Sequence, residues 1–340
     1  NTYRAGSNYS YMDMQGVQPS GIELTSLQWE TIDQINPGLS FIGLNSRMTV
    51  EVDYYVKKTL NLYLENSGIP DHTGFSSIDR NDGEMENRGY EFMMDYTIVR
   101  NKDFQLNFNI NLSSNKNKVI RLPDNYSLIY GNMLENGNYK ISITPGEPIG
   151  GFFGYEYLGV YASNADAIVT DKNGDPVYGI GSDTPLKMIM GGPSGYVFEG
   201  GDAKYKDQNY DGKIDELDLI YLGDLNPKIM GGTGFRIQYK GFVLNSFFYF
   251  KYGQEIINQT RMDTEKMYNY DNQSTATDWR WRREGDITDM PRALYNQGFN
   301  WLGSDRFVED GSHIRLKSLS LSYNVKPEFS RRLKLSDMKL

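Results

Sequence analysis

The sequence predicts an all-β protein, part of a large antiparallel barrel that crosses a membrane with its strands. Three observations point there: a strict two-residue alternation in several segments, a sorting of short and long connections, and an excess of tyrosine. The alternation is sharpest over residues 104–112, where Phe104, Leu106, Phe108, Ile110 and Leu112 interleave with Gln105, Asn107, Asn109 and Asn111. Successive side chains of a strand point to opposite faces, so this stretch has one greasy face and one wet face. A soluble sheet packed on a core could use such a strand, and so could a wall with lipid outside and water inside.

The other segments follow in order. Residues 1–28 are polar and Gly/Ser-rich and read as loop. Residues 29–64 read as strand, interrupted by a tight turn at 43–46. The cleanest alternation there sets Met48, Val50, Val52, Tyr54 and Val56 against Thr49, Glu51, Asp53, Tyr55 and Lys57. Residues 65–86 read as a long polar connection. Residues 87–116 pair across a short turn at 100–103, and 117–228 form a long excursion with an aromatic strand-like piece at 152–161. Strands resume at 229–253 around a tight turn at Lys240 and Gly241, and 253–310 is a second long connection. Residues 311–325 read as a strand whose apolar parity shifts between Leu316 and Leu319, the mark of a bulge. A last strand starts near 335–340.

Short turns at 43–46, 100–103 and 240–241 thus alternate with long connections at 65–86, 117–228 and 253–310, which gathers the long loops at one end of the sheet. Outer-membrane barrels show this sorting, and their tilted strands need roughly 9–11 residues to cross the bilayer. The 26 Tyr, 16 Phe and 4 Trp fit the aromatic girdles of such a wall. Mean hydropathy is −0.59, which a barrel with a polar lumen tolerates. No apolar run approaches the ~20 residues of a membrane helix. The chain has no cysteine and two histidines, His72 and His313, far apart in sequence, which leaves no thiolate chemistry and a poor basis for an imidazole cluster. A net charge of −9 argues against a nucleic-acid surface. Opening at Asn1 without methionine and ending inside a strand, the chain reads as a fragment of a longer protein.

The sharpest chemical motif lies in the long excursion. Asp207, Asn209, Asp211, Gly212, Lys213, Asp215 and Asp218 keep the spacing of a calcium loop. Three side chains offer oxygens in turn, Gly212 permits the bend, the Lys213 carbonyl occupies the seventh position, and Asp215 binds directly or through water. Asp218 stands where a longer bidentate Glu is usual. The expected cofactor is a structural Ca2+ that stiffens the loop; the alternative is a polar turn held by its own side chains. The run 278–283, with Trp279 and Trp281 among Arg280, Arg282 and Arg283, could stack on sugars or anions, but reads better as an anchor packed by its tryptophans. Residues 191–195 lack the helix and Lys-Ser/Thr pair of a phosphate cradle. Glu51, Asp53, Glu91 and Asp95 read as wet barrel lining rather than an acid/base pair. No credible catalytic set emerges.

Taken in order, several segments resemble the SusC/RagA-type family of TonB-dependent outer-membrane transporters. They include Leu27-Gln28-Trp29-Glu30, Val52-Asp53-Tyr54-Tyr55, Thr73-Gly74-Phe75-Ser76-Ser77 and Asn87-Arg88-Gly89-Tyr90-Glu91. Asn109 to Val119, the calcium-type loop, Asn226-Pro227-Lys228 with Gly231-Gly232, and Phe307 to Lys317 continue the set, and Trp281 through Pro291-Arg292 matches the family's W…T-x-x-P-R loop. His313 departs, standing where relatives often carry an aromatic. The resemblance implies a barrel of about 22 strands filled by an N-terminal plug, with plug and C-terminal strands outside this chain. It also implies TonB-dependent import of an oligosaccharide or peptide, with a SusD-like surface lipoprotein closing over the long loops of the receptor in the outer membrane of a Gram-negative bacterium. The alternative is a soluble secreted β-protein that binds glycans through a calcium-ordered loop. A third class, an outer-membrane enzyme, would need an acid/base pair that these residues do not assemble.

Overall fold

The computed structural model describes residues 27–69, 71–123, 134–141 and 143–325, with a few positions near the N-terminus, residue 328 and 338–340. Its frame is one sheet of eight antiparallel strands: β1 (Thr31–Ile35), β2 (Gly38–Gly43), β3 (Met48–Gly68), β4 (Ser77–Arg100), β5 (Phe104–Arg121), β6 (Ile229–Tyr239), β7 (Phe242–Tyr252) and β8 (His313–Tyr323). The order from one edge is β8-β7-β6-β5-β4-β3-β1, and β2 also pairs with β3, below β1 on the same edge. The sheet is a meander in which each strand pairs with the next in sequence, except that β1 and β2 share β3. The first 28 residues are not all loop, since Tyr3–Ala5 and Val17–Pro19 pair as a small ribbon.

Register sets the two faces. Residues directly opposite in an antiparallel pair point to the same side. One row across the wall is therefore Phe41, Val50, Met94, Ile110, Thr233, Phe248 and Leu316. The row of opposite parity beside it is Thr49, Asp95, Asn109, Gly234, Phe247 and Ser318. Among the described residues the apolar face meets no second protein layer: Leu39, Leu319, Leu321 and Ile314 are exposed at 72%, 63%, 68% and 77%. Phe104, Phe108 and Ile110 belong to none of the buried clusters. At the short-turn end the band closes on Phe104, Tyr239, Phe242 and Tyr323 in register, with the Phe242 and Tyr323 rings 4.7 Å apart. At the other end Tyr54 stands opposite Tyr90. The ten steps from Phe104 to Ser114, at about 3.4 Å each and a tilt near 40°, rise about 26 Å, close to the apolar height of an outer-membrane barrel.

Two close approaches explain glycines in β6. A Cβ on Gly231 would lie 2.1 Å from the main-chain oxygen of Asn111, and one on Gly232 would enter the Phe247 ring at 2.5 Å. The backbone of β6 is thus pressed against β5 on one side and covered by an aromatic of β7 on the other.

One boundary differs from the sequence reading. The expected connection 65–86 is mostly strand: β3 runs to Gly68, β4 starts at Ser77, and Ser67 still pairs with Ile78. Ladder hydrogen bonds need no apolar side chain, so strands that have left the bilayer continue through Gly, Asp and Asn. Irregular register between Leu60 and Tyr63, where Asn61 takes φ +56°, turns Leu62 and Leu64 toward Val119 and Leu122 in a small core. In β8 the register shift falls between Ser318 and Leu316, skipping Lys317, at the position of the sequence's parity change. The expected last strand lies outside the described residues at 335–337; Lys339 bridges Asn324, and Leu340 exchanges hydrogen bonds with Tyr323.

The larger difference lies in the two long connections. Both fold into one lobe with buried cores. The main core holds Tyr155, Tyr161, Met190, Phe198, Tyr205 and Ile214 from the first connection, together with Leu302 from the second. A second core joins Tyr139 and Phe152 to Met262 and Phe307.

Candidate functional site

The lobe stands at the long-loop end of the wall, and an ion pair on a buried carboxylate joins its two connections. Arg292 is the main clamp. Its Nε lies 2.8 Å from Asp202 Oδ1, and its NH2 group reaches Asp202 Oδ2 at 3.2 Å, Glu199 at 3.1 Å and the Tyr196 hydroxyl at 3.3 Å. Asp202 is fully buried, and the Tyr196 hydroxyl donates to its other oxygen at 2.8 Å. Burial with the Asp202 charge beside it pushes the Tyr196 phenol up, while Arg292 opposes the shift. Further hydrogen bonds reinforce the clamp, from Arg292 N–H to the Gly201 carbonyl at 2.7 Å and from Ala203 N–H to Asn300 Oδ1 at 2.8 Å.

A second ion pair, Arg306–Glu265 at 2.9 Å, lies within the second connection with both side chains nearly buried, and its guanidinium stacks over Phe307 and over Tyr157 of the first connection. Burial drives the Tyr157 phenol up to about 12, with Arg306 acting against it.

The calcium-type loop folds as a self-capped turn. Asp207 accepts from the N–H groups of Tyr210 at 2.6 Å, Asp211 at 3.3 Å and Gly212 at 2.8 Å. Asn209 accepts from Asp211 N–H at 3.1 Å, and Asp211 from Lys213 N–H at 2.9 Å. Asp215 accepts from Leu217 N–H at 2.8 Å. Asp218, fully buried, accepts from Gln208 N–H at 2.7 Å and Asp215 N–H at 2.8 Å. Burial raises the Asp218 carboxyl above its ordinary range, and those two N–H groups act against the rise. Tyr210 and Gly212 take φ +62° and +84°, which wraps the turn around Asp207. The six predicted positions are thus contiguous in space, but their carboxylates are engaged with backbone N–H groups. Among the described residues no three acidic or imidazole side chains converge as a metal cluster.

Trp281 anchors its loop, donating to the Ala162 carbonyl at 3.0 Å and packing where a Cβ on Gly201 would stand. Trp279 is 80% exposed, and Arg283 pairs with Asp286. Asp53 stands opposite Glu91 on the polar face of the wall, and with Glu51 and Asn111 they line a cavity of about 280 Å³. Sequence reasoning missed Asp202, Glu265 and Glu199, since isolated acids in loops carry no pattern; only Pro291-Arg292, through the resemblance, pointed near the clamp.

A two-faced wall with an exposed apolar band, girdled by aromatics and carrying its large loops at one end, defines an outer-membrane β-barrel segment. No family model matches the chain. Two TonB-dependent receptors of Formosa agariphila are each 32% identical to it, over 92% and 95% of this chain and 30% of their own length. The TonB-dependent receptor SusC of Bacteroides thetaiotaomicron is 25% identical over 88% of this chain and 26% of its length. A solved structure of the RagAB peptide transporter superposes with a TM-score of 0.73 at 21% identity, covering 99% of this chain and 33% of that one. Over nearly its whole length the chain is similar to TonB-dependent outer-membrane receptors, SusC among them, and it spans about 30% of the length of the curated relatives it matches. Those relatives are named as receptors rather than enzymes. The exposed apolar band sets aside the soluble secreted alternative.

Proposed function

We propose that the receptor containing this segment imports a bulky nutrient, an oligosaccharide or a peptide, across the outer membrane. TonB would supply the pull through the plug, and a SusD-like surface lipoprotein would close over the lobe. The observation that carries this reading is the folded lobe on one rim of a lipid-facing wall: a packed surface with its own buried cores suits capture at the cell exterior better than unpacked loops would. Similarity to TonB-dependent receptors and the fold shared with a peptide transporter support it. The test is uptake of labelled peptides and labelled oligosaccharides by cells carrying or lacking the full-length receptor. Uptake of one class should vanish without the receptor, and again when TonB is removed. Unchanged uptake of both classes in the deletion strain would overturn the reading.

The Asp207–Asp218 turn is part of the proposal as a Ca2+ loop, supported by its spacing and by the buried Asp218 charge that a cation would offset. When bound, the ion would be held by Asp207, Asn209, Asp211, Asp215 and Asp218 with the Lys213 carbonyl, would neutralise the four carboxylates and would stiffen the turn. Calcium added to the purified receptor should slow amide exchange over residues 207–218 at least about tenfold, as stabilisation by a bound ion implies. Exchange that is the same in calcium and in chelator would leave the turn self-capped.

A further inference from the structure

We propose that the outer surface just above the lipid-facing band binds the phosphorylated headgroup of an outer-leaflet lipid, through Arg88, Lys116 and Lys118 with Lys58 beside them. The lipid-facing parity continues upward without a slip from Phe92 and Leu112 through Tyr90 and Ser114 to Arg88 and Lys116, then Glu86 and Lys118, with Lys58 opposite Glu86. Within two residues of Tyr90 the greasy column therefore turns cationic. The opposite face at the same height is mostly an amide ladder, in which Asn115 and Asn117 both donate to Asn87 and Tyr55 donates to Asn115. Lys57, opposite Asn87, is the cation on that face, against Lys58, Arg88, Lys116 and Lys118 on the lipid side.

One carboxylate, Glu86, pairs with two of the four cations. Glu86 is 7% exposed, with Arg88 Nε at 2.5 Å and Lys58 Nζ at 3.9 Å. Lys116 and Lys118 are exposed and make no ion pair among the described residues. Like charges in neighbouring strand positions repel, and cross-strand and alternate in-strand neighbours sit about 5 and 7 Å apart, a span that one phosphate bridges. The chain as a whole carries −9, so this cluster runs against its general charge. The lipid is favoured over a small anion because the site is continuous with the apolar band: acyl chains would lie along Leu112, Phe92 and Val52 while the phosphate stands level with Lys116.

The test uses the full-length receptor in detergent, with native mass spectrometry against phosphorylated lipid A, the same lipid dephosphorylated, and inorganic phosphate. The wild-type receptor should retain the phosphorylated lipid about tenfold better than the dephosphorylated form, as two lysines at an anionic surface imply. The K116Q/K118Q receptor should bind both lipids equally, and millimolar phosphate should leave the lipid in place. Equal retention of both lipids by wild type, unchanged preference in K116Q/K118Q, or displacement of lipid by phosphate alone would each overturn the proposal. The wild-type comparison needs no variant, so it decides the matter if K116Q/K118Q fails to reach the membrane.

Discussion

Ile110→Lys should cost the folded receptor about 2–4 kcal/mol, the penalty for a cation on the lipid side near the midplane of an outer-membrane barrel. Asn109→Lys, one residue away, should cost well under half of that. The two positions share a strand, a depth and both neighbouring strands, and differ only in face. Ile110 lies in the row of Met94 and Thr233, whereas Asn109 lies between Asp95 and Gly234. At Asn109 the new charge also meets the Asp95 carboxylate directly opposite, which offsets part of its desolvation. The measurement is the fraction of full-length receptor that runs as the compact, heat-modifiable species after extraction from outer membranes, and its urea midpoint. Equal losses at the two positions would mean that both faces meet the same medium, and the barrel assignment would fall.

Arg292→Ala should loosen the lobe by about 3–5 kcal/mol while leaving the wall intact, because it strands the buried Asp202 carboxylate without its cation. Lost packing of the guanidinium against the main chain adds to the effect. Arg292→Lys should recover part of the loss, since it keeps the charge but not the fork that reaches Asp202, Glu199 and Tyr196 together. Arg283→Ala is the matched control: that side chain is 87% exposed beside Asp286, and its removal should stay within about 0.5 kcal/mol. Amide exchange at residues 196–203 and 290–300 reports the lobe, and heat-modifiable mobility reports the wall. Arg292→Ala exchange indistinguishable from wild type would show that the hydrophobic cores alone hold the two connections together.

The wall was legible because its cause is local. Phe104 to Leu112 writes its two faces in alternating residues, and Lys240 with Gly241 writes its turn, so neither depends on what the rest of the chain does. Beyond Tyr90 the legibility stops. Outside the bilayer both faces of a strand are wet, the alternation carries no force, and residues 65–86 read as loop although Ser67 pairs with Ile78. The turn at 207–218 was legible as a spacing, but the direction in which each carboxylate points, toward backbone N–H groups, follows from torsions that spacing does not encode.

By itself, then, the sequence determined the two-faced wall, its membrane-crossing strand lengths and the sorting of its connections, because period-two burial and tight turns are settled between near neighbours. Only the tertiary structure decided that the two long connections are one packed body. The contacts that make it so, Arg292 to Asp202 and Leu302 among Tyr155 and Tyr205, join residues about a hundred positions apart. Burial brought about at that separation leaves no periodic trace in the chain, since each partner is hydrophobic or charged for the sake of a neighbour that only folding supplies.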